Sequence, residues 1–303
     1  MAVGTRSLHP SELWPGVKAF FGKTYKELPK QYSQVFETLT SDKAYEEIVE
    51  TTGYGLAVQK NEGQAVTYDL DGEGYKSRLT HVVYALGWMV SREAIDDNQY
   101  KAQANRRSEM LAFSMRQTAE QVHANIFNRA FTSGYTGGDG ALLCSTAHPT
   151  SSGNQANTPT VAVDLNEASL EDELVELKLM KNNRGLRINV MPKRLIVPPQ
   201  LMFVAQRLLK STGQSGTANN DVNAVKSMGL INGTKVISRL TSTTMWGLTT
   251  SVNKDNGLKL IMRRKLERSM EGDFETDSMR YKATERYAFG WTDPRGVYGT
   301  PGI

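Results

Sequence analysis

Cys144 and His148 are the one pair in this chain whose types and spacing invite a reaction. Four residues apart, they would share a face of a helix, where an imidazole can take the thiol proton and leave a nucleophilic thiolate. Pro149 and the surrounding glycines and serines instead predict a loop, in which that spacing fixes no geometry. The plainer reading is a small buried thiol and a turn histidine. His9, His81, His123 and His148 stand in four unrelated contexts, and with a single cysteine they form no pattern of metal ligands. His123, beside Val122 on a predicted helix, reads as a packed or solvent-edge histidine. Glu171, Asp172 and Glu173 fall at a predicted helix start, where negative charge answers the helix dipole rather than acid–base chemistry. Arg263, Arg264, Lys265 and Arg268 could meet phosphate, but Glu267, Glu271, Asp273, Glu275 and Asp277 follow at once. That mixture reads as a solvated or subunit-facing charged edge, and Arg106 and Arg107 are read the same way. No phosphate-binding GxxxxGK[ST], zinc-binding HExxH, nucleophile-elbow GxSxG or dinucleotide-binding GxGxxG in a strand–helix setting occurs. Neither a catalytic site, a metal site nor a cofactor is expected.

The bulk properties narrow the class. With 303 residues, 39% hydrophobic and 22% charged, the chain is globular and has room for two or three modest domains. Lys+Arg 36 against Asp+Glu 32 gives a net charge of +4, too thin and scattered for a dedicated nucleic-acid binder. Cys144 alone forms no internal disulfide, which fits a reducing cytoplasm. The N-terminus lacks the apolar core of a signal peptide, and the longest apolar run, Val82 to Val90, is far short of the ~20 residues that span a bilayer. A soluble protein is expected, with no membrane partner.

The elements that must position these residues follow in order. Residues 1–53 read as an arm, because Pro10, Pro15 and Pro29 and many polar residues separate its short apolar pieces. Val66, Tyr68 and Leu70 alternate with Thr67, Asp69 and Asp71, the period of a half-buried strand. Asp71-Gly72-Glu73-Gly74 would turn the chain, and Arg78 to Val90 would return antiparallel as a long hairpin that needs another surface. Ser91 caps a short turn over Arg92–Asp97. From about Gln99 to Phe131 the pattern is helical, with Leu111, Met115, Ala119, Val122, Ile126 and Ala130 on one stripe and no Gly or Pro. Gly134 to Pro159 is a loop. Asn166 caps a second helix with Leu170, Leu174 and Leu177 on one face, basic residues Lys178, Lys181 and Arg184 toward its end, and Gly185 to close it. Arg194–Val197 is a buried strand; Pro198-Pro199 starts a third helix through Leu209, and Ser211 to Asn223 is a polar loop. Strands are expected at Lys235–Leu240, Met245–Thr249, Leu258–Met262 and, at greater length, Ser278–Trp291.

Four stretches in this order resemble the major capsid proteins of tailed bacteriophages, the Hong Kong 97-type shell fold. Gly87-Trp88-Met89-Val90-Ser91-Arg92-Glu93-Ala94-Ile95-Asp96-Asp97 looks like that family's passage from hairpin to long helix. Ala141 to Pro149 resembles a loop of phage head subunits, and Arg194 to Ser211 the strand–Pro–helix of the axial domain. Tyr287-Ala288-Phe289-Gly290-Trp291 with Asp293-Pro294-Arg295-Gly296 is similar to capsid C-termini. The resemblance covers about residues 50–303 and implies an α+β fold. Its parts are an N-terminal arm (1–53), an extended β-hairpin loop (54–90), a peripheral domain with a long spine helix (91–164 and 262–290) and a mixed α/β axial domain (165–261 and 291–303).

On this resemblance the chain is a non-enzymatic shell subunit that assembles as hexamers and pentamers into an icosahedral head around double-stranded DNA. Assembly in the host bacterial cytoplasm, contacts with portal and separate scaffold proteins, an optional decoration protein and non-specific DNA contact are implied with it. The arm begins almost at Met1, so a separate scaffold or none is expected. Lys60, Tyr68, Asp71, Gly72, Glu73, Gly74, Lys76, Arg78, Arg263 and Arg264 are the expected inter-subunit contacts. Lys60 is also where the Lys–Asn cross-link of some family members would be sought, although a solvated lysine is the ordinary reading there. The rival readings are an encapsulin-like compartment shell, a cytoplasmic cysteine hydrolase using Cys144 and His148, and a basic DNA-binding module.

Overall fold

The computed structural model describes Phe21, Tyr25 and residues 29–96, 100–213, 221–254, 257–273 and 275–303. Most of the first part of the predicted arm, His9 included, lies outside the described residues, as do 214–220 of the polar loop. After a 3-10 turn at Tyr32–Gln34 come β1 (Glu37–Thr40), β2 (Tyr45–Thr51), β3 (Glu73–Thr80), β4 (Val82–Val90), α1 (Arg92–Asp96) and α2 (Tyr100–Asn128). A loop with the small hairpin β5 (His148–Thr150) and β6 (Gly153–Gln155) leads to α3 (Glu167–Leu179) and β7 (Pro192–Val197). Then follow α4 (Met202–Lys210), α5 (Ala224–Met228), β8 (Thr234–Val236), β9 (Trp246–Thr250), β10 (Leu258–Gly272), β11 (Met279–Trp291) and β12 (Val297–Thr300).

Two four-stranded sheets, ordered β1-β10-β11-β4 and β12-β9-β7-β8, carry most of the ladder hydrogen bonds. In the first, β11 lies antiparallel between β10 and β4 while β1 runs parallel to β10. The period of β11 is the expected one: Tyr281, Ala283, Glu285 and Tyr287 are buried, Arg280 and Lys282 exposed. Helix α2, 29 residues and about 43 Å long, packs with this sheet. Leu111, Ala112 and Met115 meet Ala283 and Phe21 in one core cluster. A second core joins Leu170, Leu174 and Leu177 of α3 to Leu195, Val197, Trp246, Leu248 and Tyr298 of the second sheet. Asn166 starts α3 as expected: its Oδ1 accepts from Ser169 N at 2.9 Å while Ser169 Oγ accepts from Asn166 N at 3.1 Å.

Several expectations are corrected. Val66–Leu70 is not in a strand; the hairpin is formed by β2 and β3, paired from Tyr45↔Thr80 to Thr51↔Glu73, with residues 52–72 as its loop. Glu73 and Gly74 are therefore ladder residues rather than a turn. The run Arg78–Val90 breaks at His81, whose backbone N–H and Nδ1 both meet Ala44 O, so β4 leaves the hairpin to pair with β11. Strand β10 does not stop at Met262. It continues through the basic run to Gly272 because β11 lies opposite, and register shifts between Met262 and Glu267 absorb the irregularity. Gly185, at φ +82°, turns the chain beyond α3 and does not cap it; the helix ends where Met180 becomes extended, at ψ 145°. The strand expected at Lys235–Leu240 is only Thr234–Val236. On α2 the buried face includes Arg116, Glu120 and His123, whereas Val122 and Ile126 of the predicted stripe are only partly buried.

Candidate assembly surfaces

The loop between β2 and β3 is closed at its base by its own polar groups. Thr52 N donates to Gly72 O at 2.9 Å, Gly53 N to Asp71 Oδ1 at 2.7 Å, and Gly55 N to Asp69 Oδ2 at 2.8 Å. Arg184, from the turn after α3, donates to Gly53 O, Asp69 Oδ1 and Leu70 O at 3.1, 3.1 and 2.6 Å. Asp69 is held below the usual carboxylate range, chiefly by the Gly55 N–H. Beyond this base no side chain is buried. Tyr54, Leu56, Val58, Val66, Tyr68 and Leu70 are 59% to 90% exposed. Gly63, with φ +79°, provides the left-handed turn at the tip, near Lys60. An apolar cluster this open on a folded chain marks a contact surface.

The segment before β1 is fastened to α2 through buried polar groups. Arg116 donates to Tyr32 Oη at 3.1 Å and to Tyr25 O at 3.0 Å, and its guanidinium lies 3.8 Å from the Tyr25 ring centre. Tyr25 Oη donates to Glu285 at 2.5 Å, and Gln31 N donates to Glu120 Oε1 at 2.9 Å. Desolvation drives these groups toward neutrality: Glu120 and Glu285 are raised, and His123 is lowered to about 4. A second network sits beside β3, where Arg295 bridges Asp293, at 2.8 Å, and Glu50. Sequence reasoning assigned no role to Arg116 or Glu120, met Arg295 only within the C-terminal turn, and read Arg184 as a basic residue toward the end of α3, which in fact stops earlier, at Leu179. The α2 residues shared a signal, since 116, 120, 123 and 127 recur at helical spacing.

The chemically suspect residues are placed for structure. Cys144 is buried, and desolvation, with Glu173 nearby, raises its thiol well above the usual range. Both ring nitrogens of His148 face other acceptors, Asp139 Oδ2 at 2.6 Å and Asn157 Oδ1 at 3.0 Å, so neither is left to activate a thiol. Asn157 is the hub there: its amino group meets the carbonyls of Leu143, Pro294 and Val297 at 2.7, 2.9 and 3.0 Å, and Ser145 N donates to its Oδ1 at 2.8 Å. Glu173 is buried, neither of its carboxylate oxygens has a hydrogen-bond partner among the described residues, and its carboxyl is raised well above the usual range by desolvation. The dipole reading of that residue is therefore incomplete. No group of three or more metal-ligating side chains occurs among the described residues, and no described helix is long and apolar enough to cross a membrane.

The ten expected contact residues do not form one site. Lys60 and Tyr68 lie in the exposed loop; Asp71 and Gly72 belong to its base. Glu73, Gly74, Lys76 and Arg78 are in β3, where Arg78 pairs with Glu47 at 2.6 Å and lies over the Tyr45 ring. Arg263 and Arg264 are on β10 in a groove with Thr40, Asp42 and Arg286; Arg263 pairs with Asp42 at 3.2 Å.

Comparison with known proteins gives a consistent answer. The family described as "Phage capsid protein" matches residues 74–300. No curated protein matches the sequence. The fold is similar to that of the Mycobacterium phage Patience structure, at TM-score 0.56 and 12% identity over 98% of this chain and 89% of that one. It is also similar to the virus-like particle from Pyrococcus furiosus, at TM-score 0.53 and 10% identity over 95% and 99% of the two chains. The capsid of Myoviridae phage XM1 aligns at TM-score 0.52 and 9% identity over 91% and 93%.

Proposed function

The chain belongs to the phage capsid protein family and is a structural major capsid protein of Hong Kong 97-type fold; on that premise we propose that it builds, as hexamers and pentamers, the icosahedral head that encloses the double-stranded DNA of a tailed phage. The observation that carries the reading is the loop at 52–72, which presents six large apolar side chains that the subunit itself leaves uncovered. A monomer gains nothing from that arrangement, whereas a closed shell supplies a neighbour at every subunit, so stability grows with assembly. The family match favours a phage head over an encapsulin-like compartment.

In this reading the segment before β1 is the arm and the β2–β3 hairpin with its loop is the overlapping element. The sheet containing β11, with α2, forms the peripheral domain, and the sheet containing β9, with α3 and α4, forms the axial domain. The ten residues from Lys60 to Arg264 remain the proposed contacts, spread over several neighbour surfaces. The subunit does no catalysis. A net charge of +4 lets packaged DNA move against the wall, where a strongly basic lining would hold phosphate. Portal and scaffold proteins, and a decoration protein where one binds, are the proposed partners during assembly in the host cytoplasm. Sedimentation and negative-stain imaging of the purified full chain test the proposal. Megadalton closed shells, or discrete pentamers and hexamers, are expected; a monomer that stays monomeric with crowding agent and scaffold present would overturn it.

A further inference from the structure

The sheet containing β11 ends in an unusual edge. Among the described residues no strand pairs with the outer side of β4, which is nine residues long, Val82–Val90, and carries no charged side chain. Val82, Val83, Leu86 and Met89 are 47% to 64% exposed. Long apolar edges are templates for an added strand, and proteins that avoid this place charges on them. The edges of the neighbouring hairpin follow that rule: β2 carries Glu46, Glu47 and Glu50, and β3 carries Lys76 and Arg78. Strand β4 does not. The chain also contains the complementary half. Val66-Thr67-Tyr68-Asp69-Leu70 has the alternation of a half-buried strand, yet it lies outside every ladder and its apolar members are among the most exposed of the molecule.

Resting on the head-subunit reading, we propose that the Val66–Leu70 limb of one subunit's loop adds as a strand to the β4 edge of its neighbour. The faces agree in parity. On β4, Val82, Tyr84, Leu86 and Trp88 share one face, and Val83, Ala85, Gly87 and Met89 stand opposite Arg286, Thr284, Lys282 and Arg280 of β11 on the other. An incoming strand that sets Val66, Tyr68 and Leu70 beside the first row covers the exposed Val82 and Leu86. Its Thr67 and Asp69 then fall on the face that bears Arg280, Lys282 and Arg286. Main-chain hydrogen bonds would supply attachment and the alternate side chains the register, as in other strand additions. Arg184 of the same subunit holds Asp69 and the Leu70 carbonyl, which fixes the root of the limb and leaves Val66, Thr67 and Tyr68 exposed beyond it. Leu70 stands three residues and Val66 seven from the last ladder residue, Glu73, so an extended limb carries the pairing segment roughly 10 to 23 Å beyond the parent hairpin.

Amide hydrogen exchange, read by mass spectrometry on free subunits and on assembled shells of the full chain, tests the pairing. In free subunits 64–71 should exchange fast, and 82–90 should exchange fast at the alternate amides that do not bond to β11; at these positions both peptides should slow at least about tenfold in shells. A Leu86→Lys variant, which sets a charge in the row that would meet Val66, Tyr68 and Leu70, should unfold within about 2 °C of the wild-type subunit, because Leu86 is half exposed, and should fail to form shells at concentrations where the wild type does. Shells in which 64–71 stays fast would overturn the proposal, whatever happens at 82–90, because another occupant would then cover the edge. Protection of every amide of 82–90 in free subunits, including those turned away from β11, would overturn it too, by assigning the edge to the chain's own arm. Normal shells from Leu86→Lys would do the same. These results leave the head-subunit reading standing, whereas a wild-type chain that stays monomeric under the conditions above would overturn that reading and this inference together.

Discussion

Removing the exposed loop separates folding from assembly. Replacing Tyr54–Leu70 by Asn-Gly, a two-residue link suited to a hairpin, keeps Thr52, Gly53, Asp71 and Gly72 and the bonds that close the base. The subunit loses only exposed interactions, chiefly the Arg184–Asp69 pair at 3.1 Å, so its unfolding temperature should stay within about 2 °C of wild type. Assembly loses much more. Full burial of a large apolar side chain contributes about 1.5–3 kcal/mol, so half-covering the six on the loop contributes roughly 5–9 kcal/mol per neighbour contact. Immobilising those side chains takes back about 0.5–1 kcal/mol each, which leaves about 3 kcal/mol. At 1.4 kcal/mol per decade this raises the concentration threshold for shells about a hundredfold. Sedimentation across a concentration series reads the threshold. Shells from the shortened chain within threefold of the wild-type threshold would refute the burial argument. A fall of more than 5 °C in unfolding temperature would refute the claim that the loop lies outside the subunit core.

Three further outcomes follow from buried polar groups. Asn157→Asp keeps the acceptor for Ser145 N but sets an oxygen against the carbonyls of Leu143, Pro294 and Val297; the subunit should lose about 3 kcal/mol, read as roughly 6–12 °C in thermal unfolding, and a shift under 3 °C would remove Asn157 as the hub. The raised carboxyl of Glu173 means that the folded chain holds a proton which the unfolded chain releases, so its stabilising effect is complete below the usual carboxylate range and is lost as pH rises. Glu173→Gln should therefore be more stable than wild type near pH 8 and about equal near pH 4; the opposite order in denaturant titrations would show that the carboxylate is paired. Cys144, buried with a raised thiol, should resist iodoacetamide at neutral pH and react only in denaturant, and rapid labelling of the native chain would revive the hydrolase reading.

What was legible in the sequence was local. The length of α2, the Asn166 cap and the alternation of β11 each depend on residues within a few positions of one another. What was not legible depended on distant partners. Leu258–Met262 looks finished where the Arg-Arg-Lys run begins, but β11 offers its ladder all the way to Gly272, and a charged sequence can remain a strand when its partner is long enough. Val66–Leu70 fails in the opposite sense: its alternation is correct for a strand, and no strand among the described residues receives it. Alternation records a face to be covered and does not say which molecule covers it.

Helix α2 carries the same lesson in its polar residues. An apolar stripe drawn through Val122 and Ile126 points to one side of the true contact, because Tyr25, Gln31 and Phe36 meet the helix where Arg116, Glu120 and His123 emerge. Apolar burial has no direction, so Phe36 against Phe127 would tolerate a slip along the helix. Hydrogen bonds have direction. Gln31 N on Glu120 and Tyr25 O on Arg116 fix two backbone atoms to side chains one helical turn apart, which sets both the register and the polarity of the segment. Desolvation moves Glu120, Glu285 and His123 toward their neutral forms, and beside them Arg116 donates to two partners and lies against an aromatic ring. The cluster is thus an attachment device whose residues lie far apart in sequence, and a reading confined to helix periodicity meets only one side of it.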